Sequence, residues 1–542
     1  MGLCCQLIHE NPLSFHFLLV PLYILKTNHN HETMKSYINA IVGGILFVAT
    51  FCGYLFVVPH ILYFHEQHYL FQFSTEYWQH SAHLHGFFYP LTTFVIQFSH
   101  IPALGAAVWS LILTAIYFML QSIVFRLSGR HDWLQLTVLV PAYLFSCTIS
   151  LNTFPDTPVK AFIWTFAGWI AAMAIGRFLP WCKKDIQFHS PQPRKTPVWH
   201  HILSILLAIS FMLAGYRMWS QENMTGTLVK TERAMLEIDR HAKAGDWDKV
   251  LETCDKLLAS GRKNHLAAYL RSIALFKKGM LYDHIFDLPQ HFGLRALFFP
   301  WQGSKNQAEY GHYVFEELGA INSAHRWAFE AMVGWGETAA TIRNLARYNI
   351  AQGRMRVAAK FINILEHTMF YRDDAAELRR NMQAGSVPSL RDAMAHVPSE
   401  PARWDNVINI GADAKYVLNN DPDNEMAKQY LMMAMLLVNN SDAFIRNLLA
   451  YYPADKYPTL PRIFEEALIL YRIKAGHTVF SAMGYNISPE TEQRFGRYMN
   501  ESQKGNKGTY TPEMKRSYWY YVQFILPKVN HNFDRVQPQV QS

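Results

Sequence analysis

Long apolar runs fill the first part of the chain, and short amphipathic ones fill the rest. Residues 37–59, 101–125, 133–151, 159–178 and 199–216 each approach the length of about 20 apolar residues that a bilayer-crossing helix needs, so five spans are expected. From residue 218 onward the apolar positions recur every three or four residues among charged ones, the signature of helices with one buried face. The pattern predicts an all-α protein whose membrane domain, 34–217, precedes a helical domain, 218–530.

Between the first two spans lies a loop, 60–100, with seven histidines and no lysine or arginine. A polar, cation-free loop suits the non-cytoplasmic side of a membrane. Lys35, Arg126, Arg130 and the basic stretch 177–195 then fall together on the other side. The amino end is therefore expected in the cytoplasm and everything after Tyr216 outside. Residues 87–98 are too short to span and are expected to lie on the membrane as an interfacial amphipathic helix. Residues 1–33 read as an extension upstream of a start at Met34, with Leu13 to Leu25 too short, and broken by Pro21, to count as a span. Residues 531–542 read as a loose tail.

Composition narrows the classes further. The 542 residues carry a formal charge of +8. In the first part the cations sit at span ends, and in the second they alternate with acids, so charge retained beside membrane spans explains the excess and no nucleic-acid partner is expected. Six scattered cysteines form neither a paired framework nor a CxxC zinc motif.

In the second part, helix pairs occupy 242–260 with 264–281, 338–368 around a turn at Gly353, and 406–440 around Asp421-Pro422, with Asn424 opening the second helix. A further helix covers 461–476. Small residues at the crossings, Ala267, Ala268 and Ala274 for example, resemble tetratricopeptide-type repeats. An α-solenoid of that kind offers a concave groove to a protein or peptide.

Candidate chemistry concentrates in the outer loop. His65 and His68, and likewise His80 and His83, are three apart and share a helix face, so two such pairs could close a tetrahedral metal site. HEQH at 65–68 nevertheless misses the zincin spacing. Glu66, with Gln67 beside it, is the candidate general base if the protein is an enzyme, and the competing reading has both capping the loop's own backbone. The run 292–303, with Phe298, Phe299 and Trp301, reads as core beneath a loop or as a membrane-dipping patch. No phosphate-binding loop, nucleophile elbow, dinucleotide fingerprint or kinase signature occurs, and no cofactor is implied.

YFHEQHYLF (63–71), FVIQFSHIPALGA (94–106) and the segment 316–366 resemble a family of bacterial inner-membrane proteins defined only as a domain of unknown function. The resemblance implies a bacterial cytoplasmic membrane, amino-terminal spans and a helical-repeat tail in the periplasm. It brings no catalytic residue. Two functions follow as expectations: a membrane-anchored scaffold whose groove binds a protein or peptide, or an enzyme or assembly factor acting on an envelope glycan or lipid through Glu66. A histidine-based metal sensor is a third.

Overall fold

The computed structural model describes residues 31–128, 132, 134–151, 153–178, 226–300, 305–390, 410–504 and 510–529. Among the described residues all regular structure is helical and no strand forms. The chain divides into two units, Met1–Glu66 with Thr75–Thr225, and Gln67–Ser74 with Gly226–Ser542.

The first unit contains α1 (His31–Cys52), α2 (Pro59–His68, whose last two residues belong to the second unit), α3 (Thr75–His85), α4 (Phe88–Gln97), α5 (Pro102–Ser128), α6 (Leu139–Thr148) and α7 (Thr157–Phe178). Three stretches, Tyr37–Val57, Pro102–Leu127 and Thr157–Ile175, are long and apolar enough to cross a membrane. α1 and α5 pack closely because Gly43 has no side chain: a Cβ there would lie 2.3 Å from the Phe118 ring. Small residues at such crossings let helices approach where the hydrophobic effect cannot drive them together. α7 is tied to α5 by Trp169 Nε1, which donates to Ser122 Oγ at 3.0 Å.

The expected span 133–151 is not one long helix. Gln135 sits at φ 58, a left-handed value, and the Asp132 carboxylate accepts from the Thr137 backbone N–H at 2.7 Å. Helical structure therefore starts only at Leu136 and stops at Thr148. At about 1.5 Å per residue this is roughly 20 Å, against a hydrocarbon core of about 30 Å. The segment still runs the length of the unit. At one end Gln135 Nε2 donates to Asn39 Oδ1 at 2.7 Å, and Gln121 Nε2 donates to Thr137 Oγ1 at 2.8 Å. At the other end Tyr54 and Thr148 hydroxyls lie 2.8 Å apart, and the Ser150 carbonyl lies 2.9 Å from His65 Nε2. Irregular backbone of this kind survives among apolar helices when protein buries it and satisfies its polar groups.

Residues 87–98 form α4 and its flanks; α4 buries Thr92, Thr93 and Gln97 within its own unit and leaves Phe87 exposed at its start. Its threonines are accommodated because their hydroxyls donate to carbonyls of the preceding turn, Thr92 to Phe88 at 2.9 Å and Thr93 to Pro90 at 3.0 Å. The expected span 199–216, residues 1–30, most of the basic stretch 177–195 and the tail 531–542 lie outside the described residues.

In the second unit the main helices are α8 (Gly226–Lys243), α9 (Trp247–Ala259), α10 (His265–Lys277), α11 (His312–Glu317), α12 (Ile321–Trp335), α13 (Ala339–Ala351), α14 (Met355–Glu366), α15 (Arg372–Ala384), α16 (Ile410–Asn420), α17 (Glu425–Leu437), α18 (Ser441–Tyr451), α19 (Arg462–Ala475) and α20 (Pro489–Gln503). Their starts follow from side-chain caps. Asp246, Asn264, Thr338, Asn424 and Asn440 each accept a backbone N–H of the first turn, with Thr338 and Thr341 forming a reciprocal capping box. Within α8–α10, α11–α15 and α16–α18 each helix packs on the next.

Most of these helices share one hydrophobic core running from Ile238 to Leu526, in which side chains such as Ile273, Ile342, Leu345 and Phe464 are fully enclosed, while Tyr498 of α20 packs with Ile469, Tyr510 and Trp519 in a smaller cluster. Burying each such side chain contributes about 1.5–3 kcal/mol. The core also closes across distant parts of the sequence: Tyr282 and Tyr452 hydroxyls meet at 2.9 Å, and the Phe286 and Tyr521 rings lie 4.9 Å apart. A strictly linear stack, in which each repeat touches only its neighbours, has no such contacts. Phe298 and Phe299 are part of this core, and within the 292–303 run Ala296, Leu297, Phe298 and Phe299 are buried while Phe292, Leu294, Arg295 and Pro300 are half-buried; Trp301 lies outside the described residues.

Candidate functional site

The outer-loop residues do not assemble as the metal reading expects. His65 is buried and its Nε2 meets the Ser150 carbonyl. His68, one turn on, meets Glu309 of the second unit, and His80 and His83 are exposed on α3. Among the described residues no group of three or more His, Cys, Asp or Glu side chains could hold a metal. The spacing put pairs on shared faces, but the two ends of α2 are committed to different packing surroundings.

Glu66 is buried, with Oε1 3.1 Å from Nδ1 of His100, a residue about one-third exposed (36%). The two meet because α2 ends and α5 begins in the same part of the first unit. Gln67 is half-buried and Glu76 exposed. If this corner carries chemistry, the imidazole is the group that faces outward and Glu66 the group that orients it. His100 is the residue the sequence left unmarked, since it stands 34 positions away.

From Gln67 the chain belongs to the second unit, closing α2 at His68 and continuing as irregular chain to Ser74. His68 Nε2 lies 3.3 Å from Glu309 Oε2, and its ring lies 4.1 Å from that of Trp335. Leu70 enters the hydrophobic core. Gln72 Nε2 donates to Glu337 at 2.6 Å, and the Phe73 backbone N–H donates to the His367 carbonyl at 2.7 Å. A buried aliphatic side chain, a main-chain bond and polar contacts are thus among the interactions that hold the eight-residue stretch Gln67–Ser74.

Glu309 also lines a cleft of about 360 Å³ in the second unit. Alanines 242, 328, 331 and 340 form apolar lining, and Asn344, Asn381 and Ser389 supply neutral polar groups. The deepest charges are paired. Lys243 Nζ reaches Glu309 at 2.5 Å and Asp239 at 3.0 Å. Arg347 reaches Glu316 at 3.2 Å and Ser389 at 3.1 Å, and His312 Nδ1 lies 3.0 Å from Glu316 and 3.0 Å from the Tyr348 hydroxyl.

Burial alone would raise both carboxyl groups. The Lys243 ammonium and His68 ring outweigh it at Glu309, and Arg347, His312 and the Tyr348 hydroxyl outweigh it at Glu316. Both carboxylates are held well below their usual range. Lys243, which burial would make easier to deprotonate, is pushed up by Asp239 and Glu309. Carboxylates so strongly acidified are poor general bases near neutral pH. Toward the surface the pairs are more exposed: Arg343–Asp374 at 3.3 Å is about one-third exposed on both sides (36% and 34%), and the Lys277 side chain, which pairs with Glu317, is 32% exposed. Exposed pairs are worth about 0–1 kcal/mol, so a ligand's own charges can displace them.

No curated protein and no solved structure matches this chain. The model of a family of unknown function, DUF6057, matches residues 34–220 and 157–525, which together take in both units. The chain belongs to that family.

Proposed function

We propose that this protein is a multi-pass bacterial inner-membrane protein that presents a tetratricopeptide-like helical domain in the periplasm, where it binds a protein or peptide partner. The observation that carries the reading is that the second unit takes in residues 67–74, a stretch from far away in sequence, held beside a cleft whose outer ion pairs are part-exposed. Peptide recognition by helical domains uses this mixture of apolar pockets and main-chain bonds. The membrane part rests on three stretches of sufficient length and apolarity and on the basic residues at span ends.

The test is a photo-crosslinking amino acid placed at Asn344 or Ser389 in the cleft and, as control, at exposed Lys256, in intact cells. Crosslinks to one protein from both cleft positions and not from the control are the expected result. Crosslinks to none, or to glycolipid alone, would sink the scaffold. Cysteine placed at Lys256 should react with a membrane-impermeant thiol reagent in spheroplasts, and protection there would reverse the topology.

The Glu66–His100 pair favours a second reading, an enzyme or assembly factor working on an envelope glycan or lipid, with His100 as base and Glu66 orienting it. In that case Glu66→Gln and His100→Gln should each abolish cellular function with the protein still present in the membrane.

A further inference from the structure

We propose that a second, smaller cleft of the helical unit, between the turn after α9 and the loop 288–292, binds a phosphate-type oxyanion. Arg262, Lys263, Arg271 and His291 line it, and no carboxylate does among the described residues. Three stretches of chain far apart in sequence meet here, since Lys528 also lies close enough to act on His291 by charge.

Of these cations only Arg271 is neutralised. Its Nε donates to Asp255 at 2.5 Å, and its other nitrogens donate to the carbonyls of Ile285 and His284 at 3.3 and 3.0 Å. Arg262 spends one nitrogen on the Thr231 hydroxyl, at 2.7 Å, and keeps its remaining donors. Arg262, Lys263, His291 and Lys528 have no carboxylate partner among the described residues. The contrast with the main cleft is direct, because there every lysine and arginine is matched by an acid.

Like charges gathered without counter-charge repel, and the arrangement is relieved only when an anion enters. His291 registers the repulsion. Partial burial, then Lys263 and Lys528, push its imidazole below the usual histidine range. A perturbed group in a cleft marks a candidate binding site.

Size refines the ligand. The cavity measures about 20 Å³, room for one water-sized group. A terminal phosphate oxygen fits, with the rest of the group in the mouth, where the lysines and the histidine reach it. Buried Gln290 is not available as a donor, since its Nε2 is held by the Ile285 carbonyl at 2.5 Å. The same chemistry is offered by a free phosphate-bearing ligand and by an anionic phospholipid headgroup.

The test is calorimetric titration of inorganic phosphate into the full-length protein in a maltoside detergent. Wild type should bind. Lys263→Gln/His291→Gln should lose about ten-fold or more in affinity, because charge-assisted bonds contribute about 1.5–3 kcal/mol each. Lys256→Gln, an exposed cation outside the cleft, should bind as wild type does. The replaced side chains are exposed, so unchanged thermal unfolding of the double variant checks that folding is intact. Repeating the titration in phosphatidylglycerol nanodiscs separates the two sources: retained binding marks a free ligand, and lost binding a headgroup already seated. No phosphate binding by wild type, or equal binding by all variants, overturns the proposal.

Discussion

The two units invert each other's use of polarity. In the first, Ile45, Val48, Phe56, Leu111 and Trp164 are exposed, while Asn39, Thr92, Gln97 and Gln121 are buried. In the second, the aliphatic and aromatic side chains of α10, α13 and α17 are enclosed, and lysine–acid pairs such as Lys256–Glu252 and Lys474–Asp442 lie outside. A water-exposed protein gains by hiding apolar surface. A protein surrounded by lipid gains nothing from that, and its polar groups become the adhesive between helices. The proposed anchor-and-domain division rests on this contrast.

The second unit nevertheless buries a few charges, and there the comparison breaks most sharply. Arg347→Ala leaves the Glu316 carboxylate enclosed without its main partner and should destabilise the helical unit by about 3–5 kcal/mol, read as a fall in denaturant midpoint of the full-length protein in micelles. Replacing Arg347 and Glu316 together by Met and Gln should cost much less. A loss equal to that of the single variant would mean the pair is not the stabilising element.

Acid should act on the same groups. Glu309 and Glu316 are held below their unfolded range, near pH 4.3 for glutamate, so their contribution is complete above that range and lost as pH falls through it toward the folded values. Hydrogen exchange in α11 and α13 should be flat from neutral pH to about pH 5, after correction for intrinsic rates, and accelerate below it. Flat protection down to pH 3 would contradict the assignment.

Next in size is overpacking. A Cβ at Gly311 would lie 2.2 Å from the buried Trp327 ring, so Gly311→Ala should cost about 1–3 kcal/mol in the same unfolding measurement. Gly43→Ala meets Phe118, a partly exposed ring that can swing aside, and should cost less. Equal costs would show that the two units pack with the same rigidity. The smallest effect belongs to the polar network of the first unit. Gln121→Leu removes bonds to Thr137 and Asn39 and should cost about 0.6–1.7 kcal/mol, the range of interhelical polar contacts among membrane helices.

Sequence patterning was decisive for elements and silent on meetings. Apolar runs located α1, α5 and α7, and the turns at Gly353 and Asp421-Pro422 with Asn424 located two of the helix pairs, because helix propensity, capping and burial periodicity are local properties. The helices at 321–335, 372–384 and 489–503 carry an amphipathic pattern of the same kind. The break in 133–151 depended on Gln135 finding partners on α1 and α5, and burial of Thr92 and Gln97 depended on neighbours of α4. The histidine spacing suggested a metal site, yet His65 and His68 were drawn to Ser150 and Glu309, 85 and 241 positions away. The main cleft, the Glu66–His100 pair and the cation-lined cleft likewise join residues distant in the chain. Local sequence determined which segments are helical and which face of each is apolar. Only tertiary packing decided which charges meet, because the energy of a buried charge depends on the partner that folding brings to it.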